Sequence, residues 1–203
     1  MDTPHSGESS LLERARRLSD ERRLLTQLSE QTLARLLALQ GNEDVADLGA
    51  GTGLYTDRIA KLTTGTVYAV ELEPALLNYY RARGVPANVR LIVGDINDLP
   101  LPPASVDTAC SIATLHETGG RLGLPKLLEI LRPQARLVVV DWRRDAASWE
   151  SGPPAADRFT ADEVVDMLAP YFAELRSEKI GDFMFAVVAE RVERPAESPP
   201  ANG

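Results

Sequence analysis

The chain has 203 residues, 44% of them apolar, and a formal charge of -8 from 22 Lys and Arg against 30 Asp and Glu. That length suits one domain, since single cores run to about 250 residues, and the acidic balance disfavours a phosphate backbone as partner. Cys110 is the only cysteine, which excludes an intrachain disulfide and a multi-cysteine metal site, so no metal is expected.

Residues 1–9 are polar and carry no basic-then-apolar signal pattern, so they read as a disordered leader. Residues 194–203 hold three prolines and no large apolar side chain, and read as a disordered tail. Between them, 10–193 reads as one domain, with 10–41 a helical cap. No apolar run reaches the eighteen or so residues of a membrane span, so neither a membrane nor an export route is expected and a cytoplasmic location is the default. Nothing in the pattern fixes an oligomeric state, and a homodimer stays open.

Leu11, Leu12, Ala15 and Leu18 keep helical spacing, as do Leu24, Leu25 and Leu28, then Leu33, Leu36, Leu37 and Leu39. Ser19-Asp20 is a break and cap between helices, and Gly41 closes the stretch. The arginines at 14, 16, 17, 22 and 23 are interrupted by Glu13, Asp20 and Glu21, which reads as a solvated face. Strands are then expected at 45–48, 66–70, 89–93, 106–112 and 136–140, and helices at 56–62, 74–83, 122–131 and 160–168. The last helix opens on a capping-box pair, Thr160 and Glu163. Residues 174–191 read as two strands joined at Gly181-Asp182. Alternating strands and helices imply a doubly wound, mostly parallel α/β sheet. The short final link makes the last strand antiparallel. Ligands of such sheets bind at the carboxyl ends of the strands.

The first of those ends reads Asp47-Leu48-Gly49-Ala50-Gly51-Thr52-Gly53. Glycines there let the backbone turn and approach a ligand, and the following helix offers free N–H groups. A dinucleotide fingerprint, G-x-G-x-x-G/A, would put its third small residue at Leu54. The glycine comes one position early, at Gly53, which weakens a nicotinamide reading. Glu71 ends the second strand, about twenty residues on, where a carboxylate can accept from a ribose diol. Asp95 ends the third, placed to accept from an adenine amine while the Ile96 amide reads the ring.

These residues resemble a class I S-adenosylmethionine-dependent methyltransferase, within the small-molecule branch of the ubiquinone/menaquinone-biosynthesis and arsenite methyltransferases. The stretches that carry it are 45–53, 68–71, 94–96 and 106–115, with Leu131-Arg132-Pro133. The resemblance implies a seven-stranded Rossmann-like sheet with its last strand antiparallel. S-adenosylmethionine would be bound through Asp47, Gly49, Ala50, Gly51, Gly53, Glu71, Leu72, Asp95, Ile96 and Ser111, and released as S-adenosylhomocysteine. The methionine part would lie near Gly49, Gly51 and Ser111. Pro133-Gln134-Ala135 departs from the family's Pro-Gly-Gly, a structural turn. One cysteine cannot supply arsenite's soft ligands.

The methyl acceptor is a small molecule that the sequence does not identify. His116, after the fourth strand, suits a general base, since imidazole titrates near about pH 6.5; a loop histidine that packs or caps is the plain alternative. Trp142, Arg143, Arg144 and Trp149 are candidate acceptor contacts, the arginines for an anion; solvated charges around one buried Trp are an equal alternative. Tyr55 either leans over the reacting methyl or packs its helix. Cys110 reads as a small buried hydrophobe. The competing functions are a non-catalytic cofactor- or partner-binding protein and an NAD-dependent oxidoreductase.

Overall fold

A computed structural model describes residues 5–146 and 152–191, with residues 5–9 in backbone only. Trp149, residues 1–4 and the tail 194–203 lie outside the described residues. The elements are α1 (His5–Leu18), α2 (Arg23–Thr26), α3 (Glu30–Leu37), β1 (Val45–Leu48), α4 (Thr56–Ile59), β2 (Val67–Glu71), α5 (Pro74–Arg83), β3 (Val89–Val93) and β4 (Val106–Ile112). A 3₁₀ turn (Leu115–Thr118), α6 (Leu124–Ile130), β5 (Leu131–Trp142), α7 (Ala161–Leu168), β6 (Phe172–Ile180) and β7 (Met184–Arg191) follow.

The strands form one seven-stranded sheet in the order β3-β2-β1-β4-β5-β7-β6. β7 runs antiparallel to both β5 and β6, and the other pairings are parallel. All four residues of β1 are buried, as a central strand covered on both faces requires. Alternation along β5 feeds two cores. Val138 and Val140 join α3, α4 and α5 through Leu33, Ile59 and Tyr80. Leu137 and Val139 join α6 and α7 through Leu127, Ile130 and Val164. Burying each such leucine or isoleucine contributes about 1.5–3 kcal/mol.

Several boundaries differ from the sequence reading. α1 begins at His5, inside the expected leader, because once a turn is nucleated each added residue gains a hydrogen bond. α3 stops at an αL residue, Ala38 (φ 49°), before Gly41. α4 ends at Ile59, beyond which the Lys61 and Leu62 N–H groups donate three residues back, to the Arg58 and Ile59 carbonyls. β5 starts at Leu131 because a bulge spans 132–135, where Gln134 takes φ 62°. A glycine suits that conformation, which accounts for the Pro-Gly-Gly of the resembling family.

The sheet changes direction between β1 and β4, since β2 and β3 extend to one side of β1 and β5 to the other. Loops from neighbouring strand ends part there and leave a crevice. α1 and the turn before α2 lie over it: Leu18 borders the crevice, and the Ser19 hydroxyl donates to Thr52 Oγ1 at 2.8 Å.

Candidate active site

A cavity of about 390 Å³ fills the crevice, a size suited to a small organic ligand. Gly49, Ala50 and Gly51 border it from the first loop, Glu71 and Leu72 from the second, and Asp95 and Ile96 from the third. The Glu71 carboxylate is locked in place: Oε2 accepts from the Gly51 N–H at 2.8 Å and Oε1 from the Glu73 N–H at 3.0 Å. Asp95 Oδ1 accepts from the backbone and side-chain nitrogens of Asn97 at 2.8 and 2.9 Å. Gly51 has φ +56°, and a Cβ there would project beside Leu18 Cδ1 at 3.7 Å, into the cavity. Its bare backbone is what lets a ligand approach.

Three predicted residues stand elsewhere. Gly53 does not border the cavity; a Cβ there would lie 2.2 Å from Tyr80 Cζ, so this glycine makes room for α5. Asp47 lies beneath the loop, where Oδ2 accepts from Thr56 Oγ1 at 2.6 Å and Oδ1 from Cys110 Sγ at 3.7 Å. Burial pushes its carboxyl up to about 6, against those hydrogen bonds. Ser111 is fully buried, with no hydrogen-bond partner for its hydroxyl among the described residues. Strand alternation carries it away from the cavity, and Ala113 and Thr114 border the site instead. Cys110 is buried, and burial raises its thiol pKa well above the ordinary value.

A second cavity, of about 990 Å³, adjoins the first. Leu18, Arg23, Ala113 and Glu117 border both. His116 borders the second; its Nδ1 lies 2.8 Å from Asp141 Oδ1, and Asp141 is fully buried at the end of β5. The Asp141 carboxylate also accepts from the Trp142 N–H at 2.7 Å and the His116 N–H at 3.3 Å. It therefore fixes Nδ1–H on the ring and leaves Nε2 as an acceptor.

Trp142 borders this cavity too and is 3% exposed, with the Arg158 guanidinium 5.8 Å from its ring centroid. The expected anion-binding arginines are already engaged. Arg143 pairs with Asp145 at 2.8 Å, and Arg144 pairs with Glu163 and stacks on Phe159. The solvated basic face is only partly so: Arg22 is exposed and paired with Asp20, whereas Arg14 and Arg23 turn to the cavities. Tyr55 borders the first cavity and packs into the core.

Asp141 went unnoticed in the sequence, and Arg23 was read only as part of a solvated face. Asp141 had a signal, an acid at a strand end like Glu71 and Asp95. Arg23 had none, since one arginine among many does not reveal its direction. Among the described residues, no group of His, Cys, Asp and Glu could hold a metal ion. No helix among them is long and apolar enough to cross a membrane.

A glycine loop after β1, a locked acid after β2 and an acid after β3, all on one crevice of this strand order, define a nucleoside-binding α/β domain of the methyltransferase kind. Residues 45–141 match the family described as methyltransferase domain. The chain carries a class I S-adenosylmethionine-dependent methyltransferase domain, whose cofactor is S-adenosylmethionine. It is similar to an uncharacterized methyltransferase of Mycobacterium tuberculosis, 33% identical over 129 residues, 59% of this chain and 52% of the relative. It is also similar to a demethylmenaquinone methyltransferase of Tropheryma whipplei, 32% identical over 53% of this chain and 45% of that one. The chain thus spans about half the length of the curated relatives it matches. The crystal structure of a SAM-dependent methyltransferase from Aquifex aeolicus superposes with a TM-score of 0.77, at 26% identity, covering 89% of this chain and 98% of that one.

Proposed function

We propose that the protein transfers a methyl group from S-adenosylmethionine to a small-molecule acceptor. The observation that carries this reading is the Glu71 carboxylate, held by the Gly51 and Glu73 amides at the wall of the first cavity. Such an acid, fixed before any ligand arrives, suits the two hydroxyls of a ribose. Leu72 and Ile96 supply apolar surface for an adenine, Asp95 an acceptor for its amine, and Gly49, Ala50 and Gly51 a backbone cradle. The bound cofactor supplies a methyl group on a sulfonium, already a good leaving group. The protein's tasks are then alignment and exclusion of water, which the cap over the crevice serves. His116 is the candidate base, with Asp141 its positioning residue, wherever the acceptor has a proton to lose. The acidic charge sets nucleic acid aside as acceptor, and we read the location as cytoplasmic.

Calorimetric titration with S-adenosylhomocysteine, with NAD in a parallel cell, tests this. Wild type should bind the homocysteine conjugate and not NAD, and Glu71→Ala should weaken binding roughly tenfold or more, as loss of hydrogen bonds to a charged group does. Tight NAD binding, or indifference to Glu71→Ala, would refute the reading.

A further inference from the structure

Arg23 stands where the two cavities meet. Its Nε donates to Gln27 Oε1 at 3.0 Å and its Nη1 to the Leu18 carbonyl at 2.9 Å. Its guanidinium lies 5.4 Å from the Tyr55 ring centroid. Both hydrogen-bond partners are neutral, and Nη2 makes no hydrogen bond among the described residues. Arg14, Arg22 and Arg58, its neighbours in the cap and beneath it, each hold a carboxylate. Arg23 is part-buried, and a guanidinium cannot shed its charge, so drawing it partly out of water without a directly bonded anion carries a cost. Burial lowers the Arg23 pKa from its ordinary value, in keeping with that cost.

Of the other charged groups bordering the second cavity, Asp20 is bound to Arg22 and Glu117 to Arg14. Arg17 and Asp157 also border it, with no ion pair among the described residues. His116 borders the same cavity, its Nδ1 held by the Asp141 carboxylate so that Nε2 is the ring nitrogen left over. One cavity therefore offers a proton acceptor and a cation that feels the Glu117 and Asp20 carboxylates but hydrogen-bonds to none among the described residues.

We propose that the second cavity takes an acceptor bearing an acidic hydroxyl, a phenol or an enol, whose proton passes to His116 Nε2 and whose oxyanion is held by Arg23. The O–H bond breaks with its electron pair staying on oxygen, an N–H bond forms on the imidazole, and Asp141 offsets the imidazolium charge. A carboxylate acceptor would give His116 no proton to take, and a neutral amine would leave Arg23 without its anion. The proposal rests on the methyltransferase reading, but its test separates the two.

The probes are 4-nitrophenol and its uncharged match, 4-nitroanisole, measured by equilibrium dialysis with and without S-adenosylhomocysteine. The absorbance of bound nitrophenol reports its ionised fraction at a pH where the free probe is mostly protonated. Wild type should prefer nitrophenol roughly tenfold and bind it as the phenolate. Arg23→Gln should erase the preference, Arg23→Lys should keep part of it, and His116→Asn should lower the ionised fraction. Thermal melts of each variant report folding. Equal binding of the two probes by wild type, binding of neither, or an unchanged preference in Arg23→Gln would overturn the proposal. So would an equal loss of S-adenosylhomocysteine affinity in Arg23→Gln, since the guanidinium would then serve the carboxylate of the cofactor. Failure of wild type to bind S-adenosylhomocysteine strikes the methyltransferase reading instead, while the dialysis without it still decides the hydroxyl.

Discussion

Asp47 sits 2% exposed in the middle of the sheet, facing Thr56 and Cys110. Its carboxyl is raised from 3.8 to about 6 by burial. The native state therefore holds a proton that the unfolded chain releases. The stability this gives is complete below the unfolded value and is lost as pH rises through the folded one. Across that interval the loss is about 3 kcal/mol at ~1.4 kcal/mol per unit. Asp47→Asn should remove the penalty, because an amide oxygen can still accept from Thr56 and its nitrogen can face the Cys110 sulfur. Urea unfolding should find variant and wild type equal at low pH, with the variant more stable by about 2–3 kcal/mol in mildly alkaline buffer. A difference that does not change with pH would remove the ionisation of Asp47 as its cause.

Among the elements, α7 is one whose N-cap, Thr160, was readable to the residue. The Glu163 N–H donates to Thr160 Oγ1 at 3.2 Å, and the Thr160 N–H donates to Glu163 Oε2 at 2.8 Å. Thr160→Ala should cost about 1 kcal/mol in urea unfolding, the usual worth of such a cap. A loss near zero would mean that Val164 and Leu168 alone hold the helix on the sheet. This start was legible because its signal lies within four residues. Glu71 and Asp95 were legible for a similar reason, since each closes a strand whose apolar run precedes it. The bulge at 132–135 was not, because it answers the register of β4 on β5. Ser111 was misplaced because alternation along a strand is known only once its phase against the two cores is known. Arg23 was illegible because four other arginines surround it in sequence and only the fold turns it inward.

For the molecule as a whole, α3 anchors the cap in the core through Leu33, Leu36 and Leu37, while α1 and the turn after it are held over the crevice largely by polar ties. Arg14 meets Glu117 at 3.1 Å, and Arg58 reaches Glu21 at 2.7 Å and Glu30 at 3.0 Å. Exposed pairs of this kind contribute about 1 kcal/mol or less each. The seven strands carry both cores with little from α1 beyond Ala15. Deleting residues 1–18 should therefore leave the far-ultraviolet dichroism of the sheet intact. The same deletion should weaken S-adenosylhomocysteine binding roughly tenfold, because the Leu18 wall of the first cavity goes with it. Loss of folding would show instead that α1 is part of the core.

The two cavities draw on different parts of the chain. The strand-end groups around the first lie between Gly49 and Thr118, within the stretch shared with the family. Much of the second is built by residues from Arg17 to Gln27, by Trp142 and by residues from Gly152 to Asp157, outside that stretch. Inheritance can therefore act on them separately. After a gene duplication, substitutions in these flanks can retune which molecule is accepted while the donor pocket passes unchanged to both descendants, so the flanks are where lineages with different chemistries should diverge first.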